Sequence, residues 1–134
     1  MSESDTGAEY GDPITAPFWA AARKRRLFLQ HCRKCGHHQF YPRNFCLACE
    51  SAAVEWVEAM GTGVIYSMTV TRVPIFPDMP PPYVVALVQL TEGPRLLSNI
   101  VGKPCQIGDA VRVTWRERAG APPLPIFESR GGAR

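Results

Sequence analysis

Cys32-Arg-Lys-Cys35 and Cys46-Leu-Ala-Cys49, separated by ten residues, decide how this chain is read. Two CxxC pairs so spaced put four thiolates at the tips of two facing knuckles, an S₄ set that Zn²⁺ or an iron ion takes readily. Gly36 follows Cys35, where a knuckle's tight turn favours a residue without a Cβ. A pair of disulfides competes, but nothing in the sequence points to secretion. A redox CxxC centre needs a single pair in a βαβ setting, and neither condition is met. Four cysteines fill a tetrahedral coordination sphere, so the ion is expected to be structural, with no open position for catalysis. His31, His37 and His38 flank the first knuckle and read as surface or outer-sphere groups, since four thiolates are already at hand.

Outward from the cysteines, residues 1–15 read as a disordered tail carrying Glu3, Asp5, Glu9 and Asp12. Pro17 suits a first helical turn, with Thr15 as a candidate cap. Phe18, Trp19, Ala22 and Arg23 to Arg26 predict a short amphipathic helix, apolar on one side and basic on the other. Leu27 to Gln30 reads as a strand entering the first knuckle, with Gln39-Phe40-Tyr41 as its hairpin partner. Residues 16–53 thus predict a helix plus a metal ribbon. From Val54 the hydrophobic period is two, punctuated by glycine and proline. Strands are expected at 54–59, 64–73, 83–90, 95–101 and 110–116, with a Gly-marked bend after the first. Ala121-Pro-Pro-Leu-Pro reads as rigid loop before a last short strand, Ile126 to Glu128. The fold class is mainly β: a short N-terminal helix, a Cys₄ zinc ribbon, then a five- to six-stranded antiparallel OB-fold barrel over 54–128, with a frayed 129–134 tail.

Hydrophobic residues at 46% and charged residues at 20% indicate a folded chain rather than a disordered one. A net charge of +3 is too mild to argue by itself for nucleic acid. No apolar run reaches membrane-spanning length, and the acidic start is unlike a signal peptide, so a reducing cytoplasmic setting is expected. Cys105 has no activating motif around it and reads as small apolar filler. No nucleophile elbow, phosphate-cradling loop or apolar pair of carboxylates is recognisable, so no catalytic residue is assigned.

Several motifs in order then resemble one family. They are Pro17-Phe18-Trp19, Leu29-Gln30-His31-Cys32-Arg33-Lys34-Cys35-Gly36, and Tyr41-Pro42-Arg43 ahead of Cys46. In the second half come Gly61 to Ser67, Pro82 to Val88, Ser98-Asn99-Ile100-Val101-Gly102, and Ile107-Gly108 before Val111-Arg112-Val113. Over residues 16–128 the chain resembles the DUF35 family, which joins a helical segment, a rubredoxin-like zinc ribbon and an acyl-CoA-associated OB-fold. Leu47 stands where the family often has proline. The resemblance implies a non-catalytic subunit of thiolase-superfamily proteins: thiolases, acyltransferases, or acyl-CoA aldolases such as those that shorten steroid side chains. Such a subunit supports its partner's fold and the passage of the acyl-CoA thioester. Some members carry a fused hydratase, for which 134 residues leave no room.

Within that frame Arg23, Lys24, Arg25, Arg26 and Arg43 are candidates for contact with CoA phosphates or an acidic partner surface, because guanidinium forks match phosphate oxygens. A solvated helix face competes, and for Arg43 so do knuckle carbonyls. Phe18 and Trp19 must dock on the ribbon, the barrel or another chain, since a short helix cannot bury a tryptophan alone. Ile75, Phe76 and Met79, on the proline-stiffened 74–82 loop, suit a partner interface or a loop folded over the barrel mouth. The rival function is a single-stranded nucleic-acid-binding OB module using Trp56, Tyr66, Phe76, Tyr83 or Trp115. Against it, the strands are rich in Val, Leu, Thr and Ser, while basic residues gather near the metal ribbon.

Overall fold

The first turn of structure is set by a carboxylate. Asp12 Oδ1 accepts the Thr15 N–H at 2.8 Å, and the Asp12 carbonyl accepts from Ala16 at 3.0 Å. A computed structural model describes residues 11–74, 77, 79–102 and 105–129. The stretch 1–10, Ile75, Phe76 and the stretch 130–134 lie outside the described residues. Helix α1 spans Ala16–Arg23 with Pro17 in its first turn. Thr15 occupies the capping position, but its hydroxyl donates to the Asp12 carbonyl at 3.3 Å instead of capping the helix.

The helix does not run on to Arg26 as expected. Arg25 turns left-handed at φ 56°, its N–H reaches the Ala22 carbonyl at 2.8 Å, and Arg26 N–H reaches Ala21 at 3.0 Å. This pair of back-bonds closes a helix of this length by satisfying its last carbonyls. The basic run is therefore a turn that points its side chains in different directions.

Strands β1 (Phe28–Cys32), β2 (His38–Gln39) and β3 (Val54–Glu58) form a sheet in the order β2-β1-β3, antiparallel throughout. Val54–Glu58, anticipated at the head of the barrel, pairs along all of β1, from Phe28↔Glu58 to Cys32↔Val54. Side chains bridge the same pairing: Glu58 meets Arg26 at 2.7 Å, and Glu55 meets His31 at 2.9 Å.

Strands β4 (Thr62–Thr71), β5 (Tyr83–Leu90), β6 (Arg95–Gly102), β7 (Ala110–Arg118) and β8 (Ala121–Ser129) close a barrel in the order β4-β5-β6-β8-β7. Five strands with this crossover make the OB-type barrel, and β6–β8 is a parallel pair in an otherwise antiparallel circuit. The one departure from the antiparallel pairing expected of the barrel lies there, because β8 enters between β6 and β7 rather than following a hairpin on both sides. Strand β4 serves two neighbours, and a bulge at Tyr66, between Ile65 and Ser67, bends it from one to the other. Gly63 sits at that crossing; a Cβ there would lie 2.4 Å from the Gln89 carbonyl.

Residues 121–125, expected as loop, belong to β8. Proline is tolerated because Pro122 and Pro123 lie opposite a register shift at Arg116–Arg118, and the pairing with β6 begins only near Phe127. Ser98 donates to the Pro125 carbonyl at 2.8 Å, supplying a partner that the ladder omits. Helix α1 packs on β8 and β1. One apolar cluster joins Phe18, Leu27 and Leu29 to Ile65, Val88, Leu96, Val111 and Phe127, so helix, ribbon and barrel share a core.

Candidate functional site

The two knuckles are built alike, atom for atom along the backbone. Cys32 donates its N–H to the His37 carbonyl at 2.9 Å and accepts Gly36 N–H at its own carbonyl at 2.8 Å. Cys46 does the same with Ser51 at 2.8 Å and Glu50 at 2.7 Å. Gly36 has φ 82° and Glu50 φ 66°, so each knuckle turns left-handed at the residue following its second cysteine. Only the first uses the residue suited to that turn.

Sulfur geometry follows from this repeat. Cys32 Sγ and Cys49 Sγ are 3.7 Å apart, Cys35 Sγ and Cys46 Sγ 3.6 Å, and all four sulfurs lie within 4.8 Å of one another. A tetrahedral ion with metal–sulfur bonds of about 2.3 Å sets sulfur–sulfur edges of roughly 3.8 Å, so the tetrad fits such an ion. Amide N–H groups of Cys35 and Ala48 point at Cys32 Sγ (3.5 Å) and Cys46 Sγ (3.3 Å). The N–H of Cys35 is the chief reason that the Cys32 thiol is lowered to about 6. Burial opposes ionisation of Cys46, yet the N–H groups of Cys49 and Ala48 bring it below its ordinary value. Cys35 is helped by the His37 N–H but is pushed up to about 12 by burial and by the sulfurs of Cys46, Cys49 and Cys32. Four thiolates cannot share this space uncompensated, and a divalent cation resolves the conflict. The histidines stand outside the tetrad: His31 bonds Glu55, and its ring lies 4.7 Å from that of His38.

A buried glutamine pair, unforeseen from the sequence, locks the segment that brings in Cys46. Gln39 Nε2 donates to Gln30 Oε1 at 2.8 Å and to the Phe45 carbonyl at 3.2 Å, while Gln39 Oε1 accepts Leu47 N–H at 2.9 Å. Gln30 in turn clamps both backbone groups of Arg43, at 2.8 and 2.9 Å. Arg43 is thus held by its main chain. Its side chain bonds no knuckle carbonyl among the described contacts, and instead the exposed guanidinium stacks 4.5 Å from the centre of the Tyr41 ring.

The remaining basic candidates are dispersed. Arg25 pairs with Glu117, and Arg26 with Glu58, while Lys24 is exposed. Arg23 lies against the β7–β8 hairpin beside Arg118, which the sequence had not singled out. Phe18 is only 5% exposed, wedged edge-on against Trp19 at 4.9 Å and Phe40 at 5.5 Å, so its docking is internal. Trp19 is half-buried under Arg118. Met79 borders a groove of about 690 Å³ at the barrel mouth, with Met68, Tyr83, Ile100, Cys105 and Arg116 among its walls. Burial, and then the charge of Asp109, raise the Cys105 thiol, which accords with an inert filler. Among the described residues no helix is long and apolar enough to cross a membrane.

Two family descriptions match in the same order as the architecture: "ChsH2, rubredoxin-like zinc ribbon domain" over residues 19–55 and "ChsH2, C-terminal OB-fold domain" over 56–116. A probable enoyl-CoA hydratase alpha subunit of Thermomonospora curvata is 43% identical over 82% of this chain, which spans 36% of that relative's length. A DUF35 domain-containing scaffold protein of Methanothermobacter thermautotrophicus is 37% identical, covering 64% of this chain and 68% of its own. Among solved structures, a chain of an Ltp2–ChsH2(DUF35) aldolase superposes with a TM-score of 0.81 at 39% identity, over 90% of this chain and 97% of that one. With a Cys₄ ribbon, an OB barrel and these relatives, the chain belongs to the DUF35 family.

Proposed function

We propose that this chain is a non-catalytic subunit that binds a thiolase-superfamily partner and supports its folding and its access to an acyl-CoA. The observation that carries the reading is the similarity, over nearly the whole of its length, to a chain of an Ltp2–ChsH2(DUF35) aldolase. The scaffold name of a second relative points the same way. A closed thiolate tetrad has no free position for substrate, so the ion, proposed as zinc, holds the ribbon rather than acting on an acyl group. Aldolase is the partner class best supported, ahead of thiolase and acyltransferase, and a cytoplasmic setting goes with reduced cysteines. Trp19 and the described part of the 74–82 loop, with Met79, are the proposed partner contacts.

Co-expression with a thiolase-fold protein encoded nearby tests this. The expected result is a stable hetero-oligomer in which the partner alone is poorly soluble or inactive, and alanine at Trp19 weakens assembly while metal content holds. A chain that stays alone through size exclusion, or turns over an acyl-CoA unaided, refutes the reading.

A further inference from the structure

The four sulfurs of the ribbon are not equally reachable. Cys32 and Cys46 are 1% and 0% exposed, Cys49 is half-buried, and Cys35 is exposed. The knuckle around Cys35 is open as well. Arg33, Lys34, Gly36 and His37 all face solvent, and a Cβ built at Gly36 would meet nothing within 4 Å. Behind Cys35 stands a buried sulfur of the other knuckle, Cys46 Sγ, at 3.6 Å. The second contact across the knuckles, Cys32 Sγ to Cys49 Sγ at 3.7 Å, likewise joins a buried sulfur to a more accessible one. Cys105 has a different setting: it lies half-buried in the groove at the barrel mouth, with the charge of Asp109 bearing on it.

We propose that Cys35 is an oxidative modification site, at which hydrogen peroxide converts the ribbon's thiolates to a Cys35–Cys46 disulfide and frees the ion. Metal-bound cysteines are thiolates, the form that attacks peroxide, and exposed thiolates beside cations are the reactive ones. Arg33 and Lys34 supply that charge next to Cys35. The Cys35 sulfur takes one peroxide oxygen as the O–O bond breaks. Hydroxide leaves, is protonated to water, and a sulfenic acid remains. The Cys46 sulfur then attacks the Cys35 sulfur, the S–O bond breaks, a second hydroxide leaves and is protonated, and the disulfide forms. Two thiolates together give up two electrons, and one peroxide is reduced to two waters. Half of the donor set is lost, and Cys32 and Cys49 alone hold the ion poorly. A dithiol reductant reverses the change. The inference concerns the ribbon by itself and does not rest on the partner or the acyl-CoA.

The test treats the zinc-loaded full chain with hydrogen peroxide and follows the released ion with a chromophoric chelator. Samples quenched with N-ethylmaleimide are digested with trypsin for mass mapping. Cleavage after Arg33, Lys34 and Arg43 puts Cys32, Cys35 and the Cys46–Cys49 pair on separate peptides. The first product should join the Cys35 peptide to Cys46, as assigned by fragmentation, and should appear in step with ion release. Dithiothreitol with added zinc should then restore metal content and melting temperature. Cys35→His keeps four donors and should slow release by about tenfold; the disulfide map of the unaltered chain decides the matter where that variant does not load. Cys105→Ser should change neither the rate nor the product. A first disulfide within one knuckle overturns the proposal, as does one through Cys49 or Cys105. So does full retention of the ion in excess peroxide.

Discussion

Replacing Gln39 by leucine isolates what the buried glutamine pair contributes, because leucine fills a similar volume and keeps the β2 strand. The substitution removes three hydrogen bonds: to Gln30 Oε1, to the Phe45 carbonyl and from Leu47 N–H. Gln30 Oε1 keeps the Arg43 N–H as a partner, so two backbone groups, at Phe45 and Leu47, are orphaned. A buried group left unpaired costs about 1–3 kcal/mol, and both positions are edged by water, which places the loss at roughly 2–4 kcal/mol. The segment concerned delivers Cys46, so the penalty also falls on the ion, whose binding energy is folding energy in such a site. Urea titration followed by tryptophan fluorescence should show a lower midpoint with an unchanged slope. Competition with a chromophoric chelator should show weaker metal retention. A loss below about 1 kcal/mol with unaltered metal affinity would refute the claim that this pair organises the second knuckle.

Cys46→Ser should lose the ion and destabilise the ribbon, measured by metal analysis and thermal melting, since three thiolates and a hydroxyl bind it far less well; full metal content would contradict the tetrad. Glu50→Gly should be stabilising by roughly 0.5–1 kcal/mol, because φ 66° strains a residue with a Cβ, and a lower melting temperature would show that the Glu50 side chain matters more than its backbone. Glu58 is held below the usual carboxylate range by its hydrogen bond to Arg26, so its contribution is complete above the unfolded value near 4.5 and fades as pH falls through the lower folded value. Carbon-detected titration should show that lowering, and it should vanish in Arg26→Gln.

The metal ribbon was legible because cysteine spacing encodes coordination directly, and β5 and β7 because of an unbroken apolar run in one and apolar–polar alternation in the other. In β4, by contrast, the apolar side read from the sequence (Val64, Tyr66, Val70) is exposed and Ile65 is the buried one. Strand β3 was misplaced because its first four residues are all half-buried and carry no sided pattern that distinguishes a place beside β1 from one in the barrel. Strand β8 was hidden by its prolines, whose tolerance depends on a register shift in the neighbouring strand. Gln30 and Gln39 look like solvent-facing strand residues until each is seen to satisfy the other's polar groups. Arg25 carries no sign of a left-handed turn, which glycine would have announced, and the basic run was read as helix for that reason. Phe18 and Trp19 were read as needing a surface, but periodicity cannot say that the surface for Phe18 lies in the same chain.

The single apolar cluster through Phe18, Leu29 and Phe127 means that the ion and the barrel are thermodynamically linked. Removing the ion does more than fray two knuckles. It loosens β1, whose Leu29 is packed against the same side chains that close the barrel. Chelation should therefore lower one melting transition for the whole chain instead of splitting it in two. Metal supply is then expected to govern the firmness of the barrel as well as that of the ribbon.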